Sequence, residues 1–171
     1  MPTRAVCAEI GVFRGDFSDQ ILNRTRPAML HLVDLWQVSH DDVHETSAWG
    51  AGTITQDEMD ANLHHVRGRF AKEIAGGSVA IHRAPSIDAA SEFPDSYFDW
   101  IYIDGDHLYE AVRGDIEAWS VKVKPGGLIA GDDYEDGWWG EGVQRAVNEF
   151  VTDTNAELVT NGSQFIIRKF A

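Results

Sequence analysis

Three scarcities limit what this chain can be. A single cysteine, Cys7, among 171 residues leaves no intrachain disulfide and fits a reducing compartment. No apolar run approaches the roughly 20 residues that a membrane-spanning helix needs, and the first residues lack the apolar stretch of a signal peptide. Basic residues number 14 against 28 acidic ones, so the formal net charge is −14. We therefore expect a cytoplasmic protein with neither a membrane nor a nucleic-acid partner, because the phosphates of both would be repelled.

Apolar residues alternate between strand-like and helix-like spacing along the chain. Five short apolar segments are typical of strands, and they begin at Thr3, Met29, Val79, Tyr97 and Leu128. Helical periodicity lies between them, including one long helix over residues 56–75. This alternation predicts a doubly wound, mostly parallel sheet with helices on both faces. Two further strand-like segments flank Asn161-Gly162, a strong hairpin signal. We expect one α/β domain over residues 1–171, Rossmann-like, with a C-terminal antiparallel hairpin.

Two acidic strand ends are the most informative feature of the sequence. Asp104-Gly105-Asp106-His107 follows the fourth predicted strand, and Asp132-Asp133 follows the fifth. Neighbouring parallel strands end at the same crevice, so these side chains are expected to converge. Gathering several carboxylates at one place is costly, which indicates a bound metal ion or a proton to be moved.

A glycine-rich loop follows the first predicted strand. Gly11 and Gly15 allow the backbone to approach a ligand closely and leave helix amides facing it. Glu9 precedes the first glycine, where a pyrophosphate-binding loop would not carry a negative charge. Asp34 ends the second strand, a position from which a carboxylate can bind both ribose hydroxyls. This combination favours a nucleoside ligand with a positively charged tail over NAD.

On these residues the chain resembles the class I S-adenosylmethionine (SAM)-dependent methyltransferases, in particular the group that includes sugar and macrolide O-methyltransferases. The resemblance rests on residues 9–15, 32–34, 104–109, 125–134 and 142–150. It implies the class I methyltransferase fold with SAM as cofactor. Glu9 and Gly11 would then cradle the methionine end, and Asp34 would hold the ribose. The cofactor-binding residues predicted in this way are Glu9, Gly11, Gly15, Asp34, Ser86 near the adenine, and Asp104.

The acidic strand ends then acquire a chemical role beside the cofactor. Asp104, Asp132 and Asp133 are the predicted ligands of Mg²⁺ or a similar ion, which prefers oxygen ligands and would lower the pKa of an acceptor hydroxyl. Asp106 and His107 are the predicted proton-handling residues, with His107 favoured because histidine titrates near neutral pH. The predicted function is O-methylation of a small hydroxylated acceptor. The alternatives are a metal-independent methyltransferase with His107 as base, and a non-catalytic SAM-binding module.

A stretch without clear periodicity, residues 36–55, is the predicted lid. Because the sequence begins almost at the first strand, we expect the upstream helices that cover the cofactor in many relatives to be absent. The second subunit of a homodimer is the other expected source of cover. His40 and His44 are expected to be surface or lid residues rather than ligands, as are His64 and His65. Trp138 and Trp139 follow the acidic strand end, and one of them is expected to line the acceptor pocket.

Overall fold

The computed structural model describes residues 1–135 and 141–169, and these residues form one seven-stranded sheet flanked by helices. The strands are β1 Val6–Ile10, β2 Met29–Asp34, β3 Val79–Arg83, β4 Phe98–Ile103, β5 Val123–Gly131, β6 Glu157–Asn161 and β7 Gln164–Arg168. The helices are α1 Asp16–Thr25, α2 Gln56–Arg69, α3 Ala71–Ala75, α4 Ser86–Ser91, α5 Tyr109–Ser120 and α6 Gly142–Thr154. Trp138 and Trp139 lie outside the described residues. Within the described ranges, no helix has both the length and the apolar character needed to cross a bilayer.

The strand order is β3-β2-β1-β4-β5-β7-β6. The first five strands are mutually parallel, whereas β7 runs antiparallel to both of its neighbours. This topology confirms the predicted doubly wound, Rossmann-like sheet with a C-terminal antiparallel hairpin. The chain reverses its direction of travel across the sheet between β1 and β4, so a crevice opens at their carboxyl ends.

Alternate side chains of the central strands supply two separate hydrophobic cores. In β4, Trp100 and Tyr102 join one core, whereas Phe98, Ile101 and Ile103 join the other. Helices α1 and α2 pack on the first face, and α4, α5 and α6 pack on the second. Because both faces are covered, the polar ends of the strands are the natural place for a ligand.

Two local predictions were wrong. The single helix expected over residues 56–75 ends at Arg69, because Phe70 leaves helical geometry with ψ 20° and buries its ring beside Gly15. The fifth strand, expected to begin at Leu128, begins at Val123 and includes Lys124-Pro125-Gly126-Gly127. There the pairing with β4 slips, because Val123 lies opposite Phe98 whereas Leu128 lies opposite Trp100, so these four residues form a bulge within the strand.

Gly11 brings two backbone segments into close contact at the carboxyl edge of the sheet. Its φ is +90°, and a β-carbon added to it would lie 1.9 Å from the carbonyl oxygen of Asp104. The amide of Asp104 donates to the carbonyl of Ile10 at 2.7 Å. The glycine loop after β1 and the acidic turn after β4 are thereby held against each other, and only glycine fits at this position.

We expect Gly11→Ala to destabilise the fold far more than Gly77→Ala. Gly77 also has a positive φ, +73°, but a β-carbon there would meet no atom within 4 Å. The free energy of unfolding of the control should therefore fall by only about 1–2 kcal/mol, the cost of a left-handed backbone conformation for alanine. That of Gly11→Ala should fall by at least about 3 kcal/mol, because a steric clash is added. Urea unfolding of both variants measures the difference, and equal losses would contradict the close contact.

A histidine pair, in which His31 is buried and His82 is half-buried, makes the fold sensitive to acid. Nδ1 of His31 lies 2.9 Å from Nε2 of His82, and Nε2 of His31 lies 3.3 Å from the hydroxyl of Tyr97. Burial, with the neighbouring His82 adding to it, lowers the pKa of His31 from 6.5 to about 4. The unfolded chain therefore binds more protons than the native state between these values, so stability is lost as pH falls from 6.5 towards 4.

We expect His31→Phe to weaken this acid sensitivity. The loss of unfolding free energy between about pH 7 and about pH 5 should shrink by about 1–2 kcal/mol, because a group with a depressed pKa contributes up to about 1.4 kcal/mol per pH unit in that window. Chemical unfolding at the two pH values measures it. His64→Gln, on the exposed face of α2, is the control. An unchanged pH dependence in His31→Phe would contradict the assignment.

Candidate active site

Asp34, at the end of β2, organises the glycine loop. Its Oδ2 accepts hydrogen bonds from the amides of Val12 and Phe13, both at 2.8 Å, and its Oδ1 accepts one from the amide of Trp36 at 2.7 Å. The loop, residues 11–15, is therefore bound to the end of β2 and leads directly into α1, whose N-cap is Gly15. The expected contact of Asp34 with a ribose stays a prediction, and a cofactor hydroxyl would share these oxygens with the loop amides.

Glu9 lies beneath the same loop and is almost fully buried, with 1% of its surface exposed. Burial raises the pKa of its carboxyl well above the usual range, the hydrogen bond from the Ser18 hydroxyl opposes this, and the charges of Asp104 and Asp34 add to it. Ser18 therefore joins α1 to β1. A positively charged ligand near the loop would stabilise the ionised form of Glu9.

The acidic strand ends converge as the sequence predicts, but His107 takes the place that was predicted for Asp132 in the cluster. Ligand atoms of Asp104, His107 and Asp133 all lie within 4.8 Å of one another. Nε2 of His107 is 3.0 Å from Oδ2 of Asp133. Burial raises the pKa of Asp104 to about 6, the charges of Asp133 and Asp132 add to the shift, and His107 opposes it. A cation bound among these groups would relieve that repulsion.

Asp132, the third predicted metal ligand, takes part in a different set of bonds. Its Oδ1 accepts from the hydroxyl of Ser163 at 2.5 Å and from the amide of Asp133 at 2.9 Å, and the hydroxyl of Tyr102 lies 3.4 Å from its Oδ2. The chain has a positive φ of 61° at Asp133, which sends the two neighbouring side chains in different directions. The structure thus brings His107 to two of the predicted ligands and leaves Asp132 next to the β6–β7 turn.

Asp106 and His107, the predicted proton-handling residues, do not orient each other. Oδ1 of Asp106 accepts from the amide of Leu108 at 2.9 Å and lies 3.2 Å from Nε2 of His44. His107 is paired instead with Asp133. Burial alone would lower the pKa of His107, but the hydrogen bond and charge of Asp133, together with the other two nearby carboxylates, raise it. Each residue therefore has its own electrostatic partner at the site.

Ser86, at the start of α4, has a hydroxyl that is already engaged. It accepts a hydrogen bond from Nε1 of Trp119 at 2.9 Å and also bonds to the carboxyl of Asp115 on α5. Burial raises the pKa of Asp115 to about 6, the bond to Ser86 lowers it, and the charge of Asp106 raises it. These bonds join α4 to α5, and contact of Ser86 with an adenine stays a prediction.

The stretch after β2 folds over this edge of the sheet and contributes two residues to it. His44 is buried, with 6% of its surface exposed, and the ring of Trp49 meets the ring of His107 edge-on at a centroid distance of 5.7 Å. His44 was expected to be a surface or lid residue rather than a ligand. Its contact with Asp106, 62 positions away, has no signal in the sequence. The other three histidines of that group, His40, His64 and His65, are exposed, as expected.

Comparison with known proteins identifies the family to which this chain belongs. A family model described as a methyltransferase domain matches residues 8–134. An uncharacterised protein of Acanthamoeba polyphaga mimivirus is 43% identical over 58 residues, which make up 34% of this chain and 26% of that protein. The chain therefore matches only about a quarter of the length of that relative.

Solved structures share the fold. The O-methyltransferase NovP has a TM-score of 0.68 at 22% identity, with 99% of this chain and 73% of that chain covered. A provisionally assigned caffeoyl-CoA O-methyltransferase from Staphylococcus aureus has a TM-score of 0.67 at 12% identity, covering 98% and 77%. A provisionally assigned methyltransferase from Streptococcus mutans, in complex with SAH, has a TM-score of 0.64 at 10% identity, covering 99% and 91%. Together with the family model, which spans most of the chain, the fold and the motifs show that this protein belongs to the class I SAM-dependent methyltransferases.

Proposed function

We propose that this methyltransferase transfers the methyl group of SAM to a hydroxyl oxygen of a small acceptor, and that a divalent cation such as Mg²⁺ assists the transfer. The observation that carries the proposal is the cluster of Asp104, His107 and Asp133 at the carboxyl edge of the sheet. It lies directly against the glycine loop, because the backbones of Gly11 and Asp104 are in contact. Donor and acceptor sites are therefore adjacent, as in-line transfer requires.

The cluster has the chemistry of a cation site. Two carboxylates and one imidazole are donors that several divalent metals accept. Burial raises the pKa of Asp104, and the charges of Asp133 and Asp132 add to this shift, so a bound cation would stabilise the ionised carboxylate. Asp104, Asp133 and His107 would hold the ion, and a bound ion would lower the pKa of a hydroxyl and orient it. Asp132 would support Asp133 through the hydrogen bond to its amide.

The proposed reaction balances without any further co-reactant. A bond forms between the acceptor oxygen and the methyl carbon while the bond from that carbon to the sulfonium sulfur breaks, which leaves a neutral thioether. The hydroxyl proton must leave the site. With His107 holding the ion, Asp106, the other predicted proton-handling residue, would accept the proton, since its side chain is 32% exposed and can pass a proton to water.

The first test is metal dependence. With radiolabelled SAM and a panel of phenols, catechols and glycosides, we expect EDTA to reduce methyl transfer at least about tenfold and added Mg²⁺ to restore it. Asp133→Asn should reduce kcat by about 100-fold or more, because one charged donor is lost, while calorimetry shows that SAH still binds. Asp88→Asn, on the exposed face of α4, is the control.

Three outcomes would contradict parts of the proposal. Full activity in EDTA together with an active Asp133→Asn would exclude the metal. If Asp132→Asn were as damaging as Asp133→Asn, the ligand set expected from the sequence would be favoured over the cluster in the structure. Tight SAH binding with no acceptor turned over would favour a non-catalytic SAM-binding module.

A second candidate function is metal-independent methyl transfer with His107 as the base. It is favoured by the 3.0 Å pairing of Nε2 of His107 with Asp133, since a carboxylate beside an imidazole fixes its orientation and stabilises its protonated form. The acceptor would then be a nitrogen or oxygen nucleophile within reach of the same edge.

His107→Gln separates the two candidates. If His107 is the base, we expect the variant to lose about 100-fold or more in kcat with or without added Mg²⁺. If it is one of three metal ligands, raising the Mg²⁺ concentration should recover much of the loss, because the two carboxylates remain. Steady-state rates over a Mg²⁺ series measure this, with SAH affinity as the control for an intact cofactor site.

A further inference from the structure

The lid segment, residues 36–55, reaches the acidic edge of the candidate active site through the buried side chain of His44. This segment contains no lysine or arginine, and of its two histidines His40 is exposed. His44 is therefore the one group in the segment that can bring a positive charge to the acidic edge. Its side chain is only 7% exposed.

His44 lies between two carboxylates. Its Nδ1 is 2.8 Å from Oδ1 and 2.9 Å from Oδ2 of Asp41, which belongs to the same segment. Its Nε2 is 3.2 Å from Oδ1 of Asp106, which follows β4. A neutral imidazole has one N–H and can donate to only one of these carboxylates, whereas an imidazolium donates to both. Burial disfavours that charge, but the two carboxylates raise the pKa of His44, so the protonated form fits the geometry.

The rest of the lid segment is held together by backbone hydrogen bonds and by a small hydrophobic core shared with α2. The amide of Ser39 donates to the carbonyl of Trp49 at 2.8 Å, and the amide of Ala51 donates to the carbonyl of Ser39 at 2.9 Å, so the two ends of the segment are joined. Val38 and Ile54 pack with Met59 of α2 in a small core of their own. The segment therefore has a fixed base, and His44 is its ionic attachment to the opposite side of the site.

The attachment also reaches the acceptor side of the site. Trp49 lies between the rings of His44 and His107, with centroid distances of 5.9 Å and 5.7 Å. Asp106, the partner of His44, immediately precedes His107 and accepts the amide of Leu108 at the start of α5. When the lid segment is attached, an indole ring thus lies against His107, one of the predicted metal and proton-transfer residues.

We propose that His44 is a positioning residue, whose ionic bridge from Asp41 to Asp106 holds the lid segment closed over the acceptor side of the active site and fixes the Asp106 carboxylate. The bridge itself is independent of the proposed function. Only the identification of the covered side as the acceptor side rests on that function. Lid opening would then require the separation of His44 from Asp106, with Val38 and Ile54 remaining in place as the base.

Hydrogen–deuterium exchange on the full chain tests this without acceptor, metal or cofactor. We expect His44→Gln and Asp41→Asn to accelerate exchange of the amides in residues 39–54 by about tenfold or more, because each removes part of the bridge. Asp42→Asn, a neighbouring exposed carboxylate, is the matched control and should change exchange by less than about twofold. The amides of the glycine loop should keep their protection in every variant.

Two further variants separate positioning through Asp106 from a role within the segment alone. Asp106→Asn should accelerate exchange in residues 39–54 as much as His44→Gln does, and the double variant should add little, since both remove the same contact. His44→Lys, which restores a positive charge, should return exchange towards that of the natural sequence. Unchanged exchange in His44→Gln would overturn the proposal. So would a lid that stays protected in Asp106→Asn, and so would failure of His44→Lys to restore any protection.

Discussion

The backbone contact between Gly11 and Asp104 is the constraint on which the rest of this site depends. It fixes the glycine loop after β1 against the acidic turn after β4, at the point where the chain reverses direction across the sheet. Because no side chain fits between the two backbones, the loop predicted to face the cofactor and the carboxylates proposed to face the acceptor cannot move apart independently. Asp34 adds a second attachment by accepting two amides of the same loop. In the proposed function, the distance between methyl donor and acceptor is thus fixed by the sheet rather than by flexible loops.

Negative charge is concentrated at this edge, and the structure compensates it in different ways. Glu9 and Asp104 both have raised pKa values because they are buried near other carboxylates. His107 and His44 each lie beside a carboxylate and have raised pKa values in turn. The sulfonium of SAM and a divalent cation are ligands that would complete this compensation, which connects the acidic character of the site with the proposed chemistry.

The sequence predicted the features that depend on local pattern. Alternating apolar periods identified the strands and the terminal hairpin, and the Asp104 and Asp132-Asp133 segments were correctly expected to converge, because parallel strands must end together. What the sequence did not predict depended on dihedral angles and distant contacts. The positive φ at Asp133 decides that Asp132 bonds to Ser163, the ring of Phe70 ends α2 by packing beside Gly15, and the contact of His44 with Asp106 joins residues 62 positions apart. None of these follows from hydrophobic spacing.

The central claim is that Asp104, His107 and Asp133 form a divalent cation site next to the cofactor loop. Electron paramagnetic resonance of Mn²⁺ titrated into the SAH-loaded protein tests it most directly, because free and bound Mn²⁺ give distinct signals. We expect about one bound Mn²⁺ per chain. Binding should be weakened by about tenfold or more in Asp133→Asn and unaffected in Asp88→Asn. Absence of binding in the natural sequence, or equal binding in Asp133→Asn, would contradict it.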